Sequence, residues 1–135
     1  MGKILIVDNQ FSVRTLLVSI FQDDGHEVKV ATNGEAALRL LIPFSFEPDV
    51  ILLNMRMQGM NGIQTLEEIR CLDHRVTVIM MTGGNDPQNM EQAKRLGILC
   101  YIAKPFDLFE LRERVNEILN SSGISTNGTT VTVGI

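Results

Sequence analysis

Five short apolar runs alternate with five stretches of helical period, and this alternation constrains the fold more than any other feature of the chain. The runs are "KILIV" (3–7), "EVKVA" (27–31), "DVILL" (49–53), "VTVIMM" (76–81) and "LCYIA" (99–103). The first, third and fourth are nearly continuous in apolar residues, the pattern of parallel strands covered on both faces. The second alternates more and suits an edge. Strands separated by helices with short loops imply right-handed crossovers and a doubly wound α/β fold, helices on both faces of a parallel sheet.

The helical stretches carry apolar residues at spacings of three and four. Val13, Leu16, Leu17, Ile20 and Phe21 form one stripe, with Ser12 expected as N-cap and Gly25 as stop. Ala36, Ala37, Leu40 and Leu41 form a second, ending near Pro43, and Ile63, Leu66 and Ile69 a third. Asp86-Pro87 reads as an N-cap followed by proline at the first helical position, with Gly97 closing that helix. Asp107 and Glu110 have the spacing of a capping box before a face of Leu111, Val115, Ile118 and Leu119.

In such sheets ligands bind beyond the carboxyl ends of the strands. Polar residues collect there: Asp8 and Asn9 after the first strand, Asn54 after the third, Thr82 after the fourth and Lys104 after the fifth. The rest of the chain narrows the function by exclusion. At 135 residues, 44% hydrophobic and 21% charged, it is sized for one globular domain. A net charge of −4, from 12 basic and 16 acidic residues, argues against nucleic acid or an anionic membrane surface as partner. No apolar run approaches the roughly 18 residues of a membrane span. The opening "MGKILIVDN" enters a strand without a signal-peptide cleavage region, so a cytoplasmic location is expected. Cys71 and Cys100 lack CxxC spacing and are expected to be buried or half-buried thiols. The domain is expected over 1–120, followed over 121–135 by a Ser/Thr/Gly-rich tail or linker whose "TTVTV" could pair with a sheet edge. No internal repeat is visible.

"ILIVDN", "DVILLNMRMQGMNG", "VIMMTGG" and "YIAKPF", at these intervals, resemble the receiver domain of bacterial two-component response regulators. The likeness covers residue 3 to about residue 120, and "VDNQFSVRTLL" and "AKPFD" are most similar to stand-alone receivers acting as relay intermediates. It implies a flavodoxin-like (βα)5 three-layer sandwich with strand order 2-1-3-4-5. It further implies a phosphoryl group passed from a kinase histidine to an aspartate at the end of the third strand, where this chain has Asn54. Asp8 and Asn9 match the acidic pair that holds Mg²⁺ together with a backbone carbonyl at the position of Arg56. Thr82 and Lys104 match the residues that bind the phosphoryl oxygens, Tyr101 the aromatic switch, and Lys104-Pro105 a bond usually cis.

The departures fall on the chemistry. Asn54 replaces the acceptor, Asn9 one acid of the pair, and Gln58 and Asn61, either side of Gly59, replace the usual Pro and Asp of the loop. Phosphoryl transfer needs an in-line oxygen nucleophile and charges that neutralise the equatorial oxygens. A carboxamide is neutral and its nitrogen lone pair is delocalised, so Asn54 is not expected to accept phosphate. With Asp8 and Lys104 as the charged residues left in the pocket, its formal charge is near zero. Each carboxylate removed near a divalent ion forfeits several kcal/mol of gross attraction, even at an effective dielectric of about 20. No functional Mg²⁺ site, and no other cofactor, is expected.

Two readings of Asn54 stay open: an acceptor lost by drift or by design, or a pseudo-receiver that signals through partners without phosphate. The partners implied are a histidine kinase, a phosphotransfer protein or a second copy of the chain, met around helix 1 or on the helix 4–strand 5–helix 5 face. Catalysis of its own is not expected. Two alternatives are a receiver phosphorylated at Asp8 as a surrogate and a flavin or nucleotide binder on the same scaffold, the latter weakened by the absence of a GxGxxG loop. Met55, Met57 and Met60 are read as packing rather than as a sticky surface. His26 and His74 are expected in solvated turns, and Gly83-Gly84 in a loose loop.

Overall fold

The structure, a computed structural model, describes residues 2–42, 45–57, 59–73, 75–83 and 86–121. The strands are β1 (Lys3–Val7), β2 (Glu27–Ala31), β3 (Val50–Asn54), β4 (Thr77–Thr82) and β5 (Cys100–Ala103). They alternate with α1 (Phe11–Asp23), α2 (Gly34–Leu41), α3 (Gly62–Leu72), α4 (Pro87–Arg95) and α5 (Leu108–Ser121). The sheet is parallel throughout, in the order β2-β1-β3-β4-β5.

Side chains alternate across a strand, so a continuous apolar run supplies two cores at once. Leu5 and Val7 of β1, Ile51 and Leu53 of β3, and Val78 and Met80 of β4 point to one face. There they meet Ala37 and Leu41 of α2, Ile63, Leu66 and Ile69 of α3, and Ala93 of α4. Ile4, Ile6, Val50, Leu52, Ile79 and Met81 serve the other face with Leu17 and Phe21 of α1 and Leu111, Val115 and Ile118 of α5. Strand β2 lies at the sheet edge, as expected, and there Val30 stays exposed although the alternation would place it on the apolar face.

Several local expectations are corrected. Strands β3, β4 and β5 each start one residue later than the apolar runs, and β3 and β4 run one further, so Asn54 and Thr82 are strand residues. Helix α1 is capped at Gln10, not Ser12, and the Gln10 side chain makes no cap bond. The Asp8 carboxylate takes the Gln10 N–H at 2.8 Å, turning the chain into the helix two residues early. Of the α1 stripe, Leu17 and Phe21 are buried and Val13 and Ile20 pack against the same core, while Leu16 stays 45% exposed. The helix does end before Gly25, whose φ of +89° suits glycine. Asp86 is the N-cap of α4 with proline following, but its carboxylate takes the Asn89 side chain. The Asp107 carboxylate accepts the N–H groups of Phe109 and Glu110, while Glu110 receives Arg114.

His26 is buried, not solvated. Its Nδ1 accepts the Gly2 N–H at 3.0 Å, so Nε2 carries the proton and faces Asn116 Oδ1 at 2.5 Å. Asn116 in turn donates to Asp24, which also binds Arg112, tying α5 to the end of α1. Cys71 is exposed, contrary to the expectation, while Cys100 is buried and its thiol is pushed up to about 11 by that burial. Met55 is fully buried and Met57 packs against the core, as ordinary packing requires. Pro43, Gln58, His74, Gly84 and the tail from residue 122 lie outside the described residues.

Candidate functional site

The carboxyl ends of β1, β3, β4 and β5 bring Asp8, Asn9, Asn54, Thr82 and Lys104 together. Asp8, Asn54 and Thr82 are buried, at 0%, 4% and 2% exposure. Asp8 Oδ2 lies 2.8 Å from Lys104 Nζ, across 96 residues of sequence. Its Oδ1 holds the Gln10 N–H, and its backbone carbonyl receives Arg14 at 2.8 Å. Lys104 also donates to Gln10 Oε1 at 2.7 Å. The Lys104-Pro105 bond is cis, and the Lys104 N–H reaches the Thr82 carbonyl at 2.6 Å.

Asn54 occupies the last position of β3. Nδ2 donates to Asn9 Oδ1 at 3.1 Å and to the Arg56 carbonyl at 2.9 Å. The orientation follows from chemistry: a backbone carbonyl only accepts, so the atom facing it is the nitrogen. The Arg56 side chain is exposed and lies 3.8 Å from Asp86.

A divalent cation does not fit this donor set. One carboxylate remains, and both of its oxygens are engaged. The other oxygens at the expected position, on Asn9 and Arg56, are neutral and already accept from Asn54. Mg²⁺ sheds water reluctantly and is anchored through carboxylates. Among the described residues no group of three His, Cys, Asp or Glu side chains could hold a metal. Asp8, the other carboxylate position considered, has Oδ1 on the Gln10 N–H and Oδ2 on Lys104.

Tyr101 packs its ring against the core beside α4, with Lys94 Nζ 5.6 Å from the ring centroid. It is not part of the polar cluster. Gly59 sits at φ +74° in the loop after β3. Asn61 takes a local role that the family comparison hid: its side chain and that of Gln64 form a reciprocal capping box opening α3. Gly62 lets that helix abut the crevice, because a Cβ there would lie 2.5 Å from the Asn54 carbonyl oxygen and 2.6 Å from Met55 Cα.

The polar cluster opens into a groove of about 600 Å³ whose walls include Val13 and Leu16 of α1 and Pro105, Phe106 and Leu108 after β5. Phe11 stands 74% exposed beside it, with Arg14 5.8 Å from its ring centroid. Gln10, Phe11 and Arg14 were missed at the sequence level. The usable signal was their place directly after Asp8-Asn9, where the first loop must line any crevice. No helix among the described residues is long and apolar enough to cross a membrane.

Residues 4–116 match the family described as response regulator receiver domain. The chain is similar to sporulation initiation phosphotransferase F of Bacillus subtilis, 38% identical over 117 residues that cover 87% of this chain and 93% of that protein. It is 40% identical to regulatory protein AtoC of Escherichia coli over 118 residues, which cover 87% of this chain but 25% of that longer protein. Among solved structures, a receiver domain protein of Clostridium thermocellum superposes with a TM-score of 0.81 at 27% identity, covering 91% of this chain and 98% of that one. A CheY-like receiver of Methanospirillum hungatei gives 0.84 at 25% identity, covering 91% and 97%. Sheet order, the register of the polar residues and these likenesses agree: the chain belongs to the response regulator receiver domain family.

Proposed function

We propose that this chain is a two-component receiver that signals by binding partners and takes no phosphoryl group, with Asn54 at the acceptor position. The observation that carries the reading is the amide at the end of β3, whose nitrogen is donated to Asn9 and Arg56, so that the position carries no carboxylate oxygen to attack phosphorus. The Asp8–Lys104 ion pair supports it, because the lysine that would meet a phosphoryl oxygen is committed internally. On this reading Thr82, Lys104 and Tyr101 keep receiver positions without receiver chemistry, no cofactor is needed, and the chain has no catalysis of its own. It would act in the cytoplasm as a domain over 1–120 with 121–135 as tail or linker.

The partner is a histidine kinase or phosphotransfer protein docking over the groove beside α1, where Phe11, Leu16 and Phe106 offer apolar contact next to Arg14. A second copy of the chain, meeting the α4–β5–α5 face near Leu99 and Tyr101, is the other candidate partner. Incubation with acetyl phosphate and Mg²⁺, read by intact mass, tests the chemistry. Wild type should gain nothing, and Asn9→Asp with Asn54→Asp should gain one phosphoryl unit. A phosphoryl unit on wild type that disappears in Asp8→Asn would replace this reading with phosphorylation at the surrogate.

A further inference from the structure

We infer that the Asn54 amide nitrogen is a built-in substitute for a bridging cation, cross-linking the loops that a metal would otherwise hold and fixing the crevice in a cation-independent conformation. This rests on the reading of the crevice as a receiver pocket without its acceptor. Three neutral or engaged oxygens lie there, from Asp8 and Asn9 in the loop after β1 and from Arg56 in the loop after β3. Oxygens brought together need something positive between them. Lys104 supplies it on the Asp8 side, at 2.8 Å. On the other side the two protons of one NH₂ group supply it, one toward Asn9 Oδ1 at 3.1 Å and one toward the Arg56 carbonyl at 2.9 Å.

The substitution pattern then has an internal logic. An aspartate at position 54 would set a carboxylate oxygen against the acceptor-only Arg56 carbonyl with no proton between them, and a second charge near Asp8. The neutral amide at position 9 and the amide at position 54 work as a pair: the first offers an oxygen without charge, the second a nitrogen to bind it. Asn54 is burdened with no solvent, being 4% exposed, so its two hydrogen bonds carry their full weight. The chain from Asn54 to Arg56 is thereby closed into a tight local ring directly before the loop that leads to α3. Asn54 is a positioning residue for that loop and for Asn9, not a reactive group.

Thermal unfolding of the full chain, in EDTA and in Mg²⁺, reads this directly and needs neither phosphate nor partner. Wild type should unfold at the same temperature in both. Asn54→Asp should unfold about 5 °C or more lower in EDTA. Mg²⁺ at roughly 10 mM should return most of that shift, because the new carboxylate creates a cation site that stabilises the folded state. Asn54→Ala should also unfold lower in EDTA, but Mg²⁺ should not restore it, since it removes the cross-link without adding a ligand. That contrast separates a cation substitute from a side chain that merely fills space. Amide NMR shifts at Asn9 and Arg56 on adding Mg²⁺ should appear in Asn54→Asp alone. A wild-type melting temperature that rises with Mg²⁺, or an Asn54→Asp protein as stable as wild type in EDTA, overturns the inference. Phosphorylation of wild type would instead overturn the proposed function and leave these melting curves as they are.

Discussion

Lys104 Nζ lies 2.8 Å from Asp8 Oδ2, and the carboxylate it meets has no exposed surface. The lysine side chain retains 16% exposure, so the pair sits at the crevice wall with its negative member inside. Breaking such a pair from one side leaves a buried charge held by the backbone N–H of Gln10. Lys104→Met should therefore cost about 3 kcal/mol. Asp8→Asn combined with Lys104→Met should recover most of the loss, because the orphaned charge is gone. Urea unfolding of the two single variants and the double variant measures the coupling, and additive losses would show that the pair is not a unit.

Asp24 predicts an acid-sensitive clamp at the opposite end of the sheet. Hydrogen bonds from Arg112 and then Asn116 hold its carboxyl down from 3.8 to about 2, against a partial opposing effect of burial. As pH falls, the unfolded chain takes up this proton first. The clamp's contribution is thus complete above 3.8 and is lost as pH falls through about 2. Between those values wild type should lose stability more steeply than Asp24→Asn, measured by urea midpoints across the pH series. Parallel curves would remove Asp24 from the account of acid unfolding.

The two cysteines should separate cleanly in reactivity. Cys71 is exposed, whereas Cys100 is buried with its thiol pushed up to about 11. The thiolate is the reacting species, so burial and a raised pKa act together. A thiol reagent at neutral pH should label Cys71 in the native protein and Cys100 only after denaturation. Native labelling of both at similar rates would contradict this packing of β5.

Gly62 should tolerate no side chain. The atoms a Cβ would meet, Asn54 O at 2.5 Å and Met55 Cα at 2.6 Å, belong to backbone and cannot swing aside. Gly62→Ala should cost about 1–3 kcal/mol, as overpacking does. It should also shift the amide resonances of Asn54 and Met55, since α3 must retreat from β3. A variant with an unchanged urea midpoint would show that the helix can move freely.

The fold was legible because its signals are local. The odd and even residues of "KILIV" and "DVILL" divide between two cores, and period and length suffice to say so. The convergence of Asp8, Asn54, Thr82 and Lys104 also followed from topology, since every parallel strand delivers its end to the same edge. His26 was misread for the opposite reason. Its partners, Gly2 and Asn116, are 24 and 90 residues away, and nothing near it in the chain announces them. The capping role of Asn61 was hidden by comparison with a family carboxylate, though Gln64 three residues on was the available signal.

Residue type therefore determined in advance that position 54 carries an amide and that Asp8 and Lys104 bring opposite formal charges, because formal charge does not depend on conformation. Which oxygen each amide faces, and whether Lys104 reaches Asp8 or Asn54, depended on atoms brought together from 45 and 96 residues apart. Hydrogen bonds act over about 3 Å and with direction. Only the packed chain sets distances and directions on that scale, and it turned the Asn54 nitrogen to Asn9 and Arg56 while giving Lys104 to Asp8.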